Sequence, residues 1–307
     1  MLSVYIPTYN HEKYIAQALE GVLKQKTKYK FEVLIGEDCS TDNTRAILKE
    51  YELKYPGRFQ MFYREHNMYG EIPSNGVDLR QRCKGKYIMC LEGDDFWIDE
   101  YKIEKQIDFL EKNPDYVGVA HNCIVVDEQS KPNGEAYPEC KDEEYTLKHF
   151  VSEIMPGQYA TLMYRNYYVD KYMDISIFNK GLYPGDRIVY FALVLNGKIR
   201  CMQTPMTAYR HIKKGGTSFS ATYKYNFEKD EKWNYSLLEY AGNFDKRTIK
   251  YTEMLYFRNL MSGLKSKQCT KRQFLRYMRK IHYKFSAVIL YTKHWIRHHL
   301  LHKKLWV

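Results

Sequence analysis

The feature that most constrains this chain is a short apolar segment that ends in three carboxylates. Residues 86–97 read KYIMCLEGDDFW, so an apolar strand is followed by Glu92, Asp94 and Asp95. Three acids at the end of a buried strand repel one another unless water, a cation or basic groups lie opposite them. Their oxygens suit a hard divalent cation shared with a diphosphate. A solvated acidic turn before a helix is the alternative.

Strands and helices alternate around this segment. Apolar runs predict strands at residues 4–6, 31–35 and 61–63, and Ile15, Ala18, Leu19, Val22 and Leu23 have the spacing of one helix face. This order predicts an α/β protein with a mostly parallel sheet covered by helices. In such sheets ligands bind beyond the carboxyl ends of the strands. The polar residues Tyr9, Asp38 and the acidic segment each follow a strand there, so we expect them to converge.

Composition limits the class of protein. The 307 residues carry a net charge of +11, which favours an anionic partner. Seven cysteines, odd in number and without paired metal-ligand spacing, argue against a disulfide framework or a structural zinc and indicate a reducing compartment. We find no apolar leader and no run long enough for a membrane span, and therefore expect a protein that is neither exported by that route nor integral.

Three motifs, in order and in register, resemble the nucleotide-sugar-binding half of the family 2 glycosyltransferases, whose fold is called GT-A. They are IPTYN at residues 6–10, GEDCSTD at 36–42 and EGDDFW at 92–97. The resemblance covers roughly residues 1–220. Two positions depart from the family pattern, because Cys39 replaces a glycine and Glu92 replaces an aspartate.

The resemblance implies a nucleotide site built from the ends of these strands. Its residues would be Pro7, Tyr9, Glu37, Asp38 and Asp94. Tyr9 would stack on the base, uracil being the expected one, and Asp38 would accept a hydrogen bond from a base N–H. Tyr9 as a packing aromatic and Asp38 as a helix cap are the alternatives.

The resemblance also implies a divalent cation, Mn or Mg, that neutralises the diphosphate leaving group. Its ligands would be Asp95, Asp94 and His211. The segment TAYRH at residues 207–211, followed by GGTS at 215–218, is similar to a family loop that faces the diphosphate. The resemblance implies diphosphate ligands from this loop at Arg210, Lys213 or Lys214, and a basic surface loop is the alternative.

The resemblance assigns Asp186 as the catalytic base. The sequence YPGDR at residues 183–187 precedes an amphipathic helix, and the family has its base on this loop. An acceptor hydroxyl needs a base to take its proton as it attacks the anomeric carbon. A single displacement of this kind inverts that carbon. Asp186 as a simple helix cap is the alternative.

The chain changes character beyond residue 220, so we divide it into a catalytic domain at 1–220 and a basic helical extension at 221–307. Helices are predicted at 234–240, 252–264 and 273–301. The final 54 residues contain 13 lysines and arginines and no acid. Interleaved aromatic and aliphatic residues make an anionic membrane surface the expected partner, with a solvated basic face as the alternative.

Together these features predict a metal-dependent inverting glycosyltransferase of the hexosyl- or N-acetylhexosaminyltransferase class. The resemblance places it in the synthesis of capsule, O-antigen or another surface polysaccharide, with a UDP-sugar donor and a saccharide or lipid-linked acceptor. We expect it in the cytoplasm, bound peripherally to the inner face of the cell membrane, with no nucleic-acid partner. The alternative is a non-catalytic nucleotide-binding or nucleic-acid-binding protein that retains the fold.

Overall fold

A computed structural model describes residues 1–171, 173–182, 184–212 and 224–296. The chain divides into two compact units. The first unit contains residues 1–146 and 154–221, and the second contains residues 147–153 and 222–307. Tyr183, Lys213, Lys214 and the GGTS segment lie outside the described residues.

The first unit is built on one mixed sheet with nine strands among the described residues. In chain order the strands are β1 (Leu2–Thr8), β2 (Phe31–Glu37), β3 (Gln60–Tyr63), β4 (Tyr87–Cys90), β5 (Phe96–Trp97), β6 (Tyr116–Val126), β7 (Glu144–Tyr145), β8 (Met163–Arg165) and β9 (Lys198–Arg210). They are arranged as β3-β2-β1-β4-β8-β6-β9-β5, and β7 pairs with β9.

The sheet has a parallel half and a mixed half. Strands β3, β2, β1 and β4 are parallel neighbours, so their carboxyl ends lie at one edge. Strand β8 runs antiparallel to both β4 and β6, whereas β6 and β9 pair in parallel. Strand β5, which directly follows the acidic motif, runs antiparallel to the end of β9. This last pairing brings residues 96–97 beside residues 207–208.

Helices cover the sheet of the first unit. They are α1 (Ile15–Leu23), α2 (Thr44–Lys54), α3 (Asn75–Arg82), α4 (Lys102–Lys112) and α6 (Gly185–Asn196). The apolar residues predicted for α1 pack into the core, where Ile15, Ala18, Leu19 and Val22 are fully buried with strand residues such as Val4. The α/β fold class is thus confirmed, and the alternation of strand and helix positions the loops at the sheet edge.

The second unit is helical in its described residues. Its helices are α5 (Leu147–Val151), α7 (Phe227–Ala241), α8 (Lys246–Lys265), α9 (Lys271–Tyr277) and α10 (Lys284–Ile296). A small core around Phe227, Tyr256 and Leu260 holds α7, α8, α9 and α10 together. No helix within the described residues is both long and apolar enough to cross a membrane.

The predicted single helix at 273–301 is wrong, because the chain breaks between α9 and α10. The buried carboxylate of Glu253 accepts hydrogen bonds from the backbone N–H groups of His282 at 2.6 Å and Tyr283 at 2.9 Å. These bonds satisfy donors just before the start of α10, and Ile281 turns into the core beside them. The break depends on this tertiary contact and not on a local glycine or proline.

Candidate functional site

Three loops meet at the carboxyl ends of β1, β2 and β4. The N–H of Asp38 donates to the carbonyl of Thr8 at 3.0 Å, which joins the loops that follow β1 and β2. On the other side of β1, the N–H of Gly93 donates to the carbonyl of Pro7 at 3.2 Å. The loop that contains Tyr9 therefore lies between Asp38 and the acidic motif, as the order of the strands predicts.

Close packing requires a glycine within the acidic motif. A Cβ on Gly93 would lie 2.6 Å from Oγ1 of Thr8 and 2.7 Å from Nδ1 of His11. Contacts this short do not occur in folded proteins, so any larger residue would push the motif away from β1. Gly93 thus fixes the distance between the acids and the first strand, and Nε2 of His11 lies 3.9 Å from Oδ2 of Asp94.

The acids of this loop form a crowded group with a fourth carboxylate from α6. Burial raises the pKa of Glu92 to about 8, and the charges of Asp94 and Asp186 add to the increase. The pKa of Asp95 is also raised well above its usual range by burial and by the charges of Asp94 and Glu92. Each carboxylate makes ionisation of its neighbours more costly, which is the electrostatic environment that a cation relieves.

Asp95 is the most buried of these acids. Its Oδ1 accepts a hydrogen bond from the backbone N–H of Arg210 at 2.8 Å. Its Oδ2 is buried and has no hydrogen-bond partner among the described residues. A buried carboxylate oxygen without a donor is costly, so this atom is suited to a ligand that the chain itself does not supply.

Asp186 lies in the first turn of α6, and Pro184 occupies the cap position. Its Oδ1 accepts the N–H of Arg187 at 2.8 Å. Burial raises the pKa of Asp186 from its usual value. The cap position thus belongs to Pro184, and the Asp186 carboxylate is near enough to Glu92 to act on its pKa.

Asp38 and Glu37 differ in what their oxygens do. Asp38 is buried, its Oδ1 accepts the N–H of Met68 at 2.9 Å, and burial raises its pKa. Glu37 is completely buried, forms an ion pair with Arg45 through Oε2 and accepts the N–H of Ser40 at 2.6 Å through Oε1. Both Glu37 oxygens therefore stabilise the loop that follows β2. The predicted nucleotide contact of Glu37 would have to replace its bond to Arg45 or to Ser40.

The unusual Cys39 has a backbone reason. Its φ is +58°, in the left-handed region that favours glycine. This backbone conformation explains why the family pattern has a glycine at this position. Cys39 adopts the same conformation at some steric cost. Its thiol lies 3.5 Å from the carbonyl of Glu65.

His211 follows the end of β9 and is fixed by a carboxylate. Its Nδ1 lies 2.6 Å from Oε2 of Glu135, and its ring stacks on Tyr209 with an interplanar angle of 14°. A histidine held in this way through Nδ1 presents Nε2 for another contact, as metal-bound histidines do.

Arg210 makes a different set of contacts from the predicted one. Its side chain is only 2% exposed, and all its N–H donors have acceptors within the first unit. These acceptors are Asp94 O, Asp127 O, Glu128 O, Gln17 Oε1 and Ser130 Oγ. The guanidinium therefore has no donor left for a diphosphate, which counts against that prediction for Arg210. Lys213 and Lys214 lie outside the described residues.

The orphaned Oδ2 of Asp95, the neighbouring Asp94 and the oriented ring of His211 are chemically suited to Mn or Mg. Within the described ranges, these three side chains do not bring their ligand atoms to within 4.8 Å of one another. A cation bound by one or two carboxylates and completed by phosphate oxygens fits this donor set.

Sequence reasoning missed several residues that shape the site. Gln158 donates to Oε2 of Glu92 at 2.9 Å, and Glu135 orients His211. Both are distant in sequence from their partners, and no local motif marks them. His11 had a signal, since it lies two residues beyond Tyr9 in the loop that follows β1.

The raised pKa of Glu92 predicts a pH dependence of stability. Between about pH 4.5 and 8 the folded protein retains a proton on Glu92 that the unfolded chain releases, so the free energy of unfolding should fall as pH rises through this window. Glu92→Gln cannot ionise and should reduce this fall. Thermal melts in a chelator at pH 5 and pH 8 measure it, with the exposed Glu50→Gln as a control. Equal slopes for Glu92→Gln and wild type would contradict the prediction.

Comparison with known proteins places this site in a family. The model of glycosyl transferase family 2 matches residues 3–172. An uncharacterised protein of Mycobacterium tuberculosis is 28% identical over 214 residues, which are 70% of this chain and 60% of the relative. The Staphylococcus aureus poly(ribitol-phosphate) beta-N-acetylglucosaminyltransferase TarS is 30% identical over 138 residues, which are 45% of this chain and 22% of TarS.

Bacillus subtilis TuaG, whose name assigns it to teichuronic acid biosynthesis, is 37% identical over 110 residues, 36% of this chain and 42% of TuaG. The crystal structure of TarS residues 1–349 with UDP-GlcNAc superposes with a TM-score of 0.65 at 18% identity, covering 94% of this chain and 81% of that one. This likeness confirms the predicted GT-A fold.

The chain spans about 60% of the length of the first mycobacterial relatives. The family model, in contrast, covers more than half of the chain and includes all three motifs at the sheet edge. This protein therefore belongs to glycosyl transferase family 2.

Proposed function

We propose that the chain transfers a sugar, with inversion, from a nucleotide diphosphate donor to a hydroxyl group of a saccharide or lipid-linked acceptor. The observation that carries this proposal is the group formed by Glu92, Asp94, Asp95 and Asp186 at the carboxyl ends of the strands. It combines acids suited to a cation with a separate acid on α6, which are the parts that a metal-assisted displacement needs.

The nucleotide-sugar donor would bind at the carboxyl ends of β1 and β2. Tyr9, half-buried beside the acidic motif, supplies a ring for the base. One carboxylate oxygen of Asp38 accepts the backbone N–H of Met68, and the other is the proposed acceptor for a base N–H. We assign Glu37 to the support of this loop and Pro7 to the backbone contact with Gly93.

A cation held by Asp95 and Asp94, and completed by phosphate oxygens, would neutralise charge on the leaving diphosphate. His211 would join these ligands through a movement towards the two carboxylates, because the three ligand atoms do not all lie within 4.8 Å of one another. Mn or Mg fits the oxygen-rich donor set. The chain contributes the orientation of these groups through Arg210 and Glu135. Lys213 and Lys214 remain proposed diphosphate contacts.

Metal binding should depend on Asp94 and Asp95 more than on Glu92. Asp94→Ala and Asp95→Ala should each lower the Mn-dependent part of UDP affinity by about tenfold or more, because carboxylate ligands are lost. Glu92→Gln should retain that part. Calorimetric titration with UDP, with and without Mn, measures the difference. Normal Mn dependence in both alanine variants would contradict the assignment of the cation site.

Asp186 is the proposed base, since its carboxylate lies beside the acidic group and its pKa is raised by burial. It would take the proton of the acceptor hydroxyl as that oxygen attacks the anomeric carbon. The carbon–oxygen bond to the diphosphate breaks in the same step, which inverts the centre without a covalent intermediate.

Asp186→Asn should retain UDP binding and lose turnover. The amide keeps the size of the side chain but cannot accept the proton, so kcat should fall by about 10²–10⁴-fold. Release of UDP from a panel of UDP-sugars, in the presence of candidate saccharide acceptors, measures turnover. A variant whose activity falls only in proportion to its loss of folded protein would instead support a structural role for Asp186.

The donor and product classes are proposed from relatives. TarS is named as an N-acetylglucosaminyltransferase and its structure contains UDP-GlcNAc. We therefore propose a UDP-hexose or UDP-N-acetylhexosamine donor and a role in surface polysaccharide synthesis. All seven cysteines are free, which supports a reducing compartment such as the cytoplasm.

We also propose that the second unit binds the inner face of an anionic membrane. Phe285, Val288, Ile289 and Ile296 of α10 are exposed. At 3.6 residues per turn they fall within an arc of about 100°, opposite the buried Ala287. Lys284 and Lys293 lie along the two borders of this arc. Apolar stripes flanked by basic residues bind at membrane interfaces, where lysine side chains reach the head groups.

Removing two apolar side chains from this stripe should weaken vesicle binding. Phe285→Ser with Ile289→Ser should lower partitioning onto phosphatidylglycerol-containing vesicles by at least about a hundredfold, since each buried side chain contributes about 1.5–3 kcal/mol. Leu53→Ser is the matched control, because Leu53 on α2 is 83% exposed and Phe285 is 81% exposed.

Co-sedimentation at two salt concentrations measures this binding, which should weaken as salt rises. Equal binding of the double variant and wild type would contradict the membrane proposal. Preference for nucleic acid over vesicles would support the alternative of a nucleic-acid-binding protein.

A further inference from the structure

Arg210 is the last residue of β9 and is almost completely buried beside the acidic motif. It contacts that motif in two ways. Its backbone N–H donates to Oδ1 of Asp95 at 2.8 Å, and its Nε donates to the carbonyl of Asp94 at 2.9 Å. One residue therefore fixes both a side chain and a peptide group of the proposed cation site.

The rest of the guanidinium is anchored away from the motif. Nη1 donates to the carbonyls of Asp127 at 2.8 Å and Glu128 at 3.2 Å. Nη2 donates to Oε1 of Gln17 at 2.9 Å and to Oγ of Ser130 at 3.0 Å. Ser130 Oγ in turn donates to Gln17 at 2.9 Å, so the anchor is a closed set of hydrogen bonds.

Two rings hold the plane of the guanidinium. The centre of this group lies 4.2 Å from the ring centroid of Tyr14 and 5.6 Å from that of Phe96. Because a guanidinium is planar and its five donors have fixed directions, the rings and the acceptors together permit one orientation. Lysine would keep the charge but replace neither the fork of donors nor the stacking.

We propose that Arg210 is a positioning residue that presents Asp95 Oδ2 to the cation, and not a ligand of the diphosphate. This inference rests on the proposed metal-dependent function. Oδ1 of Asp95 is occupied by the Arg210 backbone, which leaves the buried Oδ2, without a partner in the described part of the chain, as the oxygen for a ligand. The charge of Arg210 lowers the pKa of Asp95 and so limits the repulsion among the acids.

The test compares Arg210→Lys with Arg165→Lys. Arg165 on β8 is a matched control, because its guanidinium also donates to three carbonyls and lies 5.7 Å from the Tyr87 ring. It pairs with Tyr87 at the start of β4, the opposite end from the acidic motif. The same substitution there removes similar contacts without touching the proposed site.

Three measurements are made on the full chain. Mn titrated into the protein with saturating UDP should bind Arg210→Lys about 10–100-fold more weakly than wild type, as expected for an outer contact to a metal ligand. UDP affinity without Mn should stay within twofold. Hydrogen exchange should accelerate at residues 93–97 and 127–131 in Arg210→Lys and stay unchanged in β1 and β2. Arg165→Lys should alter neither the Mn affinity nor exchange in these segments.

The outcomes separate this inference from the proposed function. Unchanged exchange at residues 93–97 in Arg210→Lys overturns the positioning role whatever ligand binds. A loss of UDP affinity without Mn, with Mn affinity intact, supports direct diphosphate contact and also overturns it. Failure of the wild type to bind UDP or Mn overturns the proposed function. In that case, hydrogen exchange at residues 93–97 in Arg210→Lys still decides whether Arg210 positions the acidic motif.

If Arg210→Lys does not fold, Gln17→Ala supplies the test. It removes one anchor of the guanidinium on α1 and leaves both contacts to the acidic motif. It should weaken Mn binding in the same direction and by a smaller factor, with UDP affinity unchanged. Wild-type Mn affinity and wild-type exchange in Gln17→Ala would overturn the inference.

Discussion

Repulsion among buried carboxylates is the constraint on which this site depends. Glu92 and Asp95 follow a fully buried strand, and each has its pKa raised by burial and by neighbouring acids. A buried charge without a partner costs several kcal/mol, so this grouping does not help the chain to fold. Acids that are costly to the fold and concentrated at a ligand-binding edge are characteristic of functional sites. Arg210 and Gln158 reduce the cost on the protein side and leave the Oδ2 of Asp95 available.

Holding the acids against β1 imposes further requirements on the backbone. Gly93 has no room for a Cβ beside Thr8 and His11. The loop that follows β2 needs a left-handed residue, and the chain uses Cys39 where the family pattern has glycine. A non-glycine residue there costs roughly 1–2 kcal/mol. The ion pair of the buried Glu37 with the partly exposed Arg45 stabilises that same loop without the glycine.

The sequence predicts the parts of the site that are local, and misses those that depend on distant contacts. Apolar runs locate the strands, and parallel order then brings the loops with Tyr9, Asp38 and Glu92 to the same end of the sheet. The internal role of Arg210 depends on Gln17, which lies 193 positions away, and on a turn at residues 127–131. The sequence predicts Arg210 as a phosphate ligand, whereas the structure shows that all N–H donors of its guanidinium bond to the protein. The break between α9 and α10 was missed for the same reason, because Glu253 acts from 29 positions upstream.

Three acids of the second unit make internal contacts. Asp245 caps α8, Glu253 holds the backbone before α10, and Glu231 bonds to Tyr256 and Lys280 inside the helical core. Because these carboxylates satisfy internal donors, they do not neutralise the lysines that border the exposed face of α10. The same tertiary bonds that break the predicted long helix thus orient α10 with Ala287 inward and Phe285 outward. The internal contacts of these acids therefore stabilise the helical unit and also leave the exposed face of α10 basic and apolar.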